Sequence, residues 1–483
     1  MEKADIGMIG LAVMGENLAM NLESKGYTVS VFNIETEWVD RFIEGRAKGK
    51  KVIGCHSFKE MVESLKTPRK IMMMIRAGSP VDQTIDALLP LLSDGDILID
   101  GGNSNYNDTT RRTHYVESQG KLFIGTGVSG GEEGAFKGPS LMPGGSPAAW
   151  ESVKPIFQKI CAHTASGEPC CDWVGEDGAG HFVKMVHNGI EYGDMELICE
   201  CYQMMRKLLH LTDDEMSVIF KKWNQTELDS YLIGITGEIL AYKDIDGTPI
   251  VEKILDTAGQ KGTGKWTGIS ALEEGVPLTL IGEAVFARCL SAMKEERVAA
   301  AKAYPKKEIP FDGDREEFIE QMRKALFASK IISYAQGYSL MRTAAKTYGW
   351  NLNYGGIALM WRGGCIIRST FLGKIKEAYE ADPNLTNLLL DPFFRSMILN
   401  CEDSWRKVVS AAALHGVPVP GLSSALSYFD GYTSEILPAN LLQAQRDYFG
   451  AHTYERTDHE RGKFFHTDWT GHGGRTSSET YNA

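Results

Sequence analysis

Residues 1 to about 175 alternate short apolar runs with amphipathic segments, and this alternation constrains the fold more than any other feature. Runs such as Lys70–Ile75 and Asp96–Asp100 are almost continuously apolar, as strands buried on both faces require. The strand candidates are Asp5–Ile9, Thr28–Asn33, Lys70–Ile75, Asp96–Asp100 and Lys121–Gly125. Between them lie helix candidates at Glu16–Lys25, Phe58–Leu65, Val81–Leu92, Tyr106–Gln119 and Ala148–Cys161. Strand–helix alternation of this kind predicts a doubly wound, parallel α/β sheet. Gly-rich turns are expected at strand ends: Gly101-Gly102-Asn103, Ser129-Gly130-Gly131 and Pro143-Gly144-Gly145. Ligands of such sheets bind outside the carboxyl ends of the strands.

Gly10-Leu11-Ala12-Val13-Met14-Gly15 follows the first strand and opens the first helix. Gly10 permits a tight turn, a small residue at 12 admits a pyrophosphate, and Gly15 allows close helix–strand packing. The helix N-terminus then faces the anion, so the segment predicts a dinucleotide site. The ribose-reading position lies at the end of the second strand, in Asn33-Ile34-Glu35. Neutral Asn33 does not repel a 2′-phosphate and leans to NADP. Glu35 is an anion with no Arg beside it, and leans to NAD. Arg41, Arg46 and Arg76 are the nearest candidate cations.

From about Gly178 the period changes and strands disappear. His181–Leu209, Glu227–Tyr242, Thr279–Ala303 and Arg315–Lys346 read as helices. The expected organisation is a dinucleotide-binding Rossmann-type domain at 1–177, a large all-α domain at 178–440 and a C-terminal tail at 441–483. The stretch beyond Ala451 is rich in Gly, Ser, Thr and His, which suits a solvated tail. Phe464, Phe465, Trp469 and Tyr481 make it unusually aromatic for one, which suits an arm that docks on something.

Within His181–Leu209, the residues Lys184, His187, Asn188 and Glu191 fall at i, i+3, i+4 and i+7 and share one face. Val183, Val186, Ile190 and Leu197 share the other. Lys184 and Glu191 are about 10 Å apart along the axis, so a small substrate fits between a base and an acid. Gly189 and Gly193 inside a helix cost roughly 1 kcal/mol each against Ala, so something must approach the backbone there.

Charge and cysteine content narrow the partners. The chain of 483 residues carries a net charge of −12, a poor match for nucleic acid or anionic lipid. The N-terminal residues show no charged region followed by an apolar one, so no secretory signal is expected. Apolar runs such as Ile71–Ile75 are too short to span a bilayer. Nine scattered cysteines with no C-x-x-C predict reduced thiols, a cytoplasmic location and no zinc site.

The residues now assembled closely resemble those of the 6-phosphogluconate dehydrogenases, a family of the β-hydroxyacid dehydrogenase superfamily. The resemblance covers essentially the whole chain. It rests on G-L-A-V-M-G (10–15), D-G-G-N-S (100–104), G-V-S-G-G-E-E-G-A (127–135) and G-P-S-L-M-P-G-G (138–145). It continues through G-A-G-H-F-V-K-M-V-H-N-G-I-E-Y-G-D-M (178–195) and I-L-D-T-A-G-Q-K-G-T-G-K-W (254–266). It ends with Q-A-Q-R-D-Y-F-G-A-H-T-Y-E-R (443–456).

The resemblance implies oxidative decarboxylation of 6-phosphogluconate to ribulose 5-phosphate, with reduction of NADP, in the pentose phosphate pathway. Lys184 is implied as general base and Glu191 as general acid. Asn103, Ser129, Gly130, Gly131, His187 and Asn188 are implied at the carboxylate and hydroxyl end of the substrate. Tyr192, Lys261, Thr263 and Arg288 are implied at its phosphate. Arg446 and His452 join them from a second subunit, so a homodimer with shared active sites is implied, as is the absence of a catalytic metal. Cofactor contacts are implied at Gly10 to Gly15, at Asn33, Ile34 and Glu35, at Ile75, Arg76 and Ala77, and at Asn103. Many NADP-using members carry Asn-Arg-Thr where this chain has Asn33-Ile34-Glu35. Two other readings compete. A dehydrogenase of another β-hydroxyacid, such as 3-hydroxyisobutyrate, has no use for Lys261, Arg288 and Arg446. A retired scaffold has no use for Lys184 and Glu191.

Overall fold

The computed structural model describes residues 3–260, 262–305, 307 and 309–472. The chain forms two compact units, Met1–Ala425 and Leu426–Ala483.

The first unit begins with a sheet of eight strands: β1 (Ile6–Ile9), β2 (Val29–Phe32), β3 (Val52–Cys55), β4 (Lys70–Met73), β5 (Ile97–Asp100), β6 (Leu122–Ser129), β7 (Ser140–Gly145) and β8 (Gly175–Glu176). Their order is β3-β2-β1-β4-β5-β6-β7-β8. β1 lies between β2 and β4 and is parallel to both, so the strand order reverses on either side of it. That reversal opens a crevice at the carboxyl end of β1, where Gly10 begins. Side chains alternate between two cores. Met8, Met72, Ile97 and Ile99 join one. Ile9, Ile71, Met73 and Leu98 join the other. A sheet covered on both faces explains why the strands read as unbroken apolar runs rather than as alternation.

The five expected strands and the five expected helices are present, with ends shifted by at most four residues. β3 and the helix Thr36–Glu44 before it escaped the pattern, because β3 is only half-buried and reads Val-Ile-Gly-Cys. One expectation within the sheet is corrected. Pro143-Gly144-Gly145 is not a turn but the end of β7, which pairs antiparallel with β6. The glycines are there for contact. A Cβ on Gly144 would lie 2.5 Å from the Gly180 nitrogen, and one on Gly145 would lie 2.4 Å from the Phe123 carbonyl oxygen.

No strand occurs among the described residues between β8 and position 454. The helix Ala179–Lys207 runs through the middle of this part and is buried along both faces over its first four turns. Gly189 and Gly193 are explained by its neighbours. A Cβ on Gly189 would meet Thr267 Cγ2 at 2.7 Å, and one on Gly193 would meet Ser333 Oγ at 2.6 Å. A Cβ on Gly337 would in turn meet Ile190 Cδ1 at 2.7 Å, so the Ile190 side chain packs directly on the bare backbone of the long helix Arg315–Tyr348. The single helix expected over Thr279–Ala303 is two, Thr279–Ala292 and Lys294–Ala303. Met293, at φ −85° and ψ 47°, breaks the ladder between them.

The second unit contains the helix Ala439–Gly450 and a small antiparallel pair, β9 (Tyr454–Glu455) and β10 (Phe464–Phe465). Asp447 is fully buried. It accepts hydrogen bonds from the Thr467 backbone N–H at 3.0 Å and Trp469 Nε1 at 2.9 Å, and His466 Nδ1 lies 3.0 Å away. The aromatic stretch through Trp469 is therefore folded back onto a helix. Tyr481 lies outside the described residues.

Candidate functional site

Glycines seat the helix Ala179–Lys207 on the sheet. A Cβ on Gly180 would lie 2.4 Å from the Met142 carbonyl oxygen and 2.5 Å from that of Gly125. A Cβ on Gly127 would lie 2.3 Å from Lys184 Cβ. The bare backbone of β6 and β7 thus admits the helix, and the stem of Lys184 lies directly against β6.

Lys184 is buried, and its Nζ donates to Asn188 Oδ1 at 2.8 Å. His187 is fully buried, with Nδ1 3.4 Å from Lys184 Nζ and 3.1 Å from Asn188 Oδ1. Its other ring nitrogen lies 3.3 Å from Ser129 Oγ at the end of β6. Asn188 Nδ2 donates to Thr263 Oγ1 at 3.0 Å, at the start of the helix Thr263–Glu273. Glu191 Oε2 is 3.9 Å from His187 Nδ1. The fold therefore brings Ser129, Lys184, His187, Asn188, Glu191 and Thr263 into one linked cluster.

Burial sets the protonation of this cluster. It pushes Lys184 below the ordinary lysine range, against the pull of Glu191. It pushes Glu191 above the ordinary carboxylate range, against Lys184 and Arg288. It lowers His187 strongly, helped by the Lys184 charge, so the imidazole is neutral at pH 7. A lysine that readily loses a proton beside a carboxyl that readily keeps one makes a base and an acid on one helix face.

The next turn carries Tyr192, buried with its ring against Gly264, where a Cβ would come within 2.6 Å. The Arg288 guanidinium lies over that ring, 3.4 Å from its centroid. Arg288 donates to the Gly259 carbonyl at 3.3 Å, and its charge acts on the carboxyls of Glu191 and Glu196. A half-buried guanidinium held over an aromatic face can offer its remaining N–H donors to an anion.

The loops at the strand ends frame the same region. Gly130 has φ 131°, and a Cβ there would lie 2.5 Å from the Gly364 carbonyl oxygen. Gly131 has φ 63° and open space around it. Asn103 is exposed on the loop after β5. Asp100 shapes that loop by accepting from the Gly102 N–H at 3.0 Å and from Ser104 Oγ at 2.5 Å.

At β1, Gly10 has φ 96° and a Cβ there would lie 2.4 Å from the Met74 carbonyl oxygen. A Cβ on Gly15 would lie 1.8 Å from the Gly10 carbonyl oxygen. Ala12 precedes the helix Val13–Ser24 without any side-chain cap, and Ala12 and Val13 are exposed. The first-turn N–H groups are thus left for an anion, and the residues present fit a dinucleotide pyrophosphate. Leu11 and Met14 lie inside this turn. Ile75, Arg76 and Ala77 follow β4 on the other side of the crevice.

Family models match nearly the whole chain. The NAD binding domain of 6-phosphogluconate dehydrogenase matches residues 5–175, and the 6-phosphogluconate dehydrogenase C-terminal domain matches residues 180–469. The chain belongs to the 6-phosphogluconate dehydrogenase family. It is 61% identical to the human 6-phosphogluconate dehydrogenase, decarboxylating, over 485 residues, with all of both chains covered. It is 61% identical to the Haemophilus influenzae enzyme of that name over 480 residues, covering 99% of each. The Plasmodium falciparum 6-phosphogluconate dehydrogenase, solved apo, with its cofactor NADP+ and with its substrate 6-phosphogluconate, superposes with a TM-score of 0.93. That match is 44% identical and covers 96% of this chain and 100% of the other.

Of the other residues implied by resemblance to 6-phosphogluconate dehydrogenases, Lys261 lies outside the described residues. Arg446 and His452 belong to the second unit. Arg446 Nη1 donates to Gln443 Oε1 at 3.0 Å. His452 sits between Ala451 (φ 50°) and Thr453 (φ 38°), two non-glycine residues in the left-handed region, and Gln443 Nε2 donates to its carbonyl at 3.1 Å. Sequence reading missed Asp100, which shapes the Asn103 loop, and Gly364, against which Gly130 closes. The Gly363-Gly364 pair inside a helical region was the signal for the second. It also missed the buried pair of Lys330 and Asp194, one turn beyond Glu191. No period marks a lone carboxylate on a buried helix.

Proposed function

We propose that this chain oxidises and decarboxylates 6-phosphogluconate to ribulose 5-phosphate and CO2, with NADP as hydride acceptor. The observation that carries the reading is the buried cluster in which Lys184, lowered by burial, sits on one helix face with Glu191, raised by burial. The bound nicotinamide supplies a site for the hydride that leaves C3. Lys184 Nζ takes the proton of the 3-hydroxyl as that hydride departs, leaving a 3-keto acid. The carboxylate is then β to a carbonyl. Breaking the C1–C2 bond releases CO2 and places the electron pair on the ketone oxygen. Protonated Lys184 stabilises that oxyanion and returns the proton, giving an enediol. Glu191 protonates C1 of the enediol while Lys184 takes back the proton of the 2-hydroxyl, and the ketose results.

Neutral His187 and Asn188, with Ser129, Gly130, Gly131 and Asn103, hold the carboxylate and hydroxyls. Tyr192, Thr263, Lys261 and Arg288 hold the phosphate. Arg446 and His452 contributed by the partner subunit complete that end, so the active unit is a homodimer. The working divisions are 1–177, 178–440 and a tail at 441–483. The site of action is the cytoplasm, supported by nine cysteines that are all unpaired. Among the described residues no helix is long and apolar enough to cross a membrane.

The test is an initial-rate assay on purified protein with 6-phosphogluconate and NADP, following nicotinamide absorbance and CO2 together. Equal release of both is expected. Nicotinamide reduction without CO2, or no turnover, refutes the reading.

A further inference from the structure

Arg112 is fully buried on the helix Tyr106–Ser118, and its guanidinium reaches two loops at once. Nε and Nη2 donate to the two carboxylate oxygens of Asp82 at 2.8 and 3.0 Å, a bidentate pair. Nη2 also donates to the Gly78 carbonyl at 2.9 Å. Gly78 ends the loop that follows β4, and Asp82 lies in the first turn of the helix Ser79–Leu88 that this loop enters. Nη1 faces the neighbouring loop, 3.4 Å from Asp100 Oδ2 at the end of β5 and 3.4 Å from Ser104 Oγ. β4 and β5 are parallel neighbours, so both loops leave carboxyl ends of strands, where such a sheet binds its ligands.

The grip continues through Asp100 to Asn103. Asp100 is fully buried, and Arg112 is the one cation paired with it among the described residues. A buried carboxylate that loses its cation must find another partner or move. Asp100 holds the Gly102 N–H and the Ser104 hydroxyl, on either side of Asn103. The helix Tyr106–Ser118 also touches the one that carries Lys184. Thr109 Oγ1 lies 2.7 Å from Nδ1 of His181, one turn before Lys184. A Cβ on Gly125 would come within 2.3 Å of Thr109 and 2.8 Å of His181, so this contact has no slack. Arg111, the next residue, is 55% exposed and pairs with Asp82 and Asp108 instead of either loop.

We propose that Arg112 is a positioning residue for hydride transfer: it fixes the spacing between the loop 75–78 and the Asn103 loop, and with it the distance from the nicotinamide to C3 of the substrate. The inference rests on the dehydrogenase reading above and adds a residue that touches neither ligand.

The test is single-turnover reduction of NADP by stopped flow, with full-length protein and NADP saturating and in excess over 6-phosphogluconate. Under those conditions the rate constant is independent of how much of the protein is folded, so a merely structural role leaves it unchanged. Arg112→Lys keeps a charge near Asp100 but loses the fork that reaches Asp82 and Gly78 together. Its rate constant is expected to fall by on the order of 10²-fold, the loss that a displacement of about 1 Å produces. Substrate deuterated at C3 reacts more slowly still, which marks hydride transfer as the step read. NADPH binding, measured by calorimetry, is retained. Ser104→Ala removes the hydroxyl beside both Asp100 and Arg112, so it lowers the rate constant by a smaller factor and carries the test should Arg112→Lys not fold. Arg111→Ala leaves the rate constant unchanged. Rate constants in Arg112→Lys and Ser104→Ala equal to that of the natural chain overturn the proposal. So does a fall matched by lost NADPH binding, which would make Arg112 a determinant of cofactor affinity rather than of spacing. No reduction by the natural chain overturns the dehydrogenase reading, and this inference with it.

Discussion

Lys184 and Glu191 lie two turns apart on one helix, and burial moves them in opposite directions: the ammonium loses its proton more easily and the carboxyl keeps its own longer. Each is the other's main attractive partner, yet desolvation outweighs that attraction for both. The pair is thereby tuned for one group to accept a proton and the other to give one.

The pH dependence follows from those two directions. Turnover rises as Lys184 deprotonates, at a pH below the ordinary lysine range. It falls again as Glu191 deprotonates, at a pH above the ordinary carboxylate range. A bell-shaped pH profile of kcat/KM is expected, since these directions belong to the site without substrate, and Glu191→Gln removes its alkaline limb while lowering kcat/KM by about 10²–10⁴-fold. An alkaline limb that survives in Glu191→Gln rejects Glu191 as the acid.

Lys184→Met removes the proposed base and keeps most of the buried volume. Turnover is expected to fall by at least about 10²-fold. Reduced cofactor should bind as before, since Gly10–Gly15 is untouched. Unchanged turnover refutes Lys184 as base.

Gly127→Ala tests how the helix is seated. The new methyl would lie 2.3 Å from Lys184 Cβ, so strand or helix must shift. A loss of about 1–3 kcal/mol in urea unfolding is expected, with a lower kcat from a displaced Lys184. Gly131→Ala, which meets no atom within 4 Å, is the comparison for space, although its φ of 63° adds strain of its own. Equal kcat in Gly127→Ala and the natural protein would show that the seat does not position the base.

Glu200 makes stability fall with rising pH. Burial raises its carboxyl to about 8, although it accepts from the backbone N–H groups of Gly421 and Leu422. A carboxyl with a raised folded pKa contributes fully below its unfolded value, about 4.3. That contribution is lost as pH climbs to about 8. Glu200→Gln should flatten this part of the stability curve measured by thermal unfolding. A slope equal to the natural protein's refutes the assignment.

Asp447 tests the second unit. Asp447→Asn turns an amide towards donors from Thr467 and Trp469, so the segment from β10 to Trp469 should lose hydrogen-exchange protection. Protection unchanged at Phe464 to Trp469 would show that the carboxylate does not hold it.

The sequence alone determined the layered sheet, the dinucleotide turn and the helix face with Lys184, His187, Asn188 and Glu191. Each is a local pattern, set by a period of 2 or 3.6 or by a glycine that a tight turn needs. It could not determine what those residues meet. That Gly144 and Gly145 form a strand, that Gly189 and Gly193 admit Thr267 and Ser333, and that Lys184 rests on Gly127 depend on segments far apart in the chain. The same holds for the protonation of Lys184 and Glu191. Desolvation is a property of the packed surroundings, and only the tertiary structure supplies it.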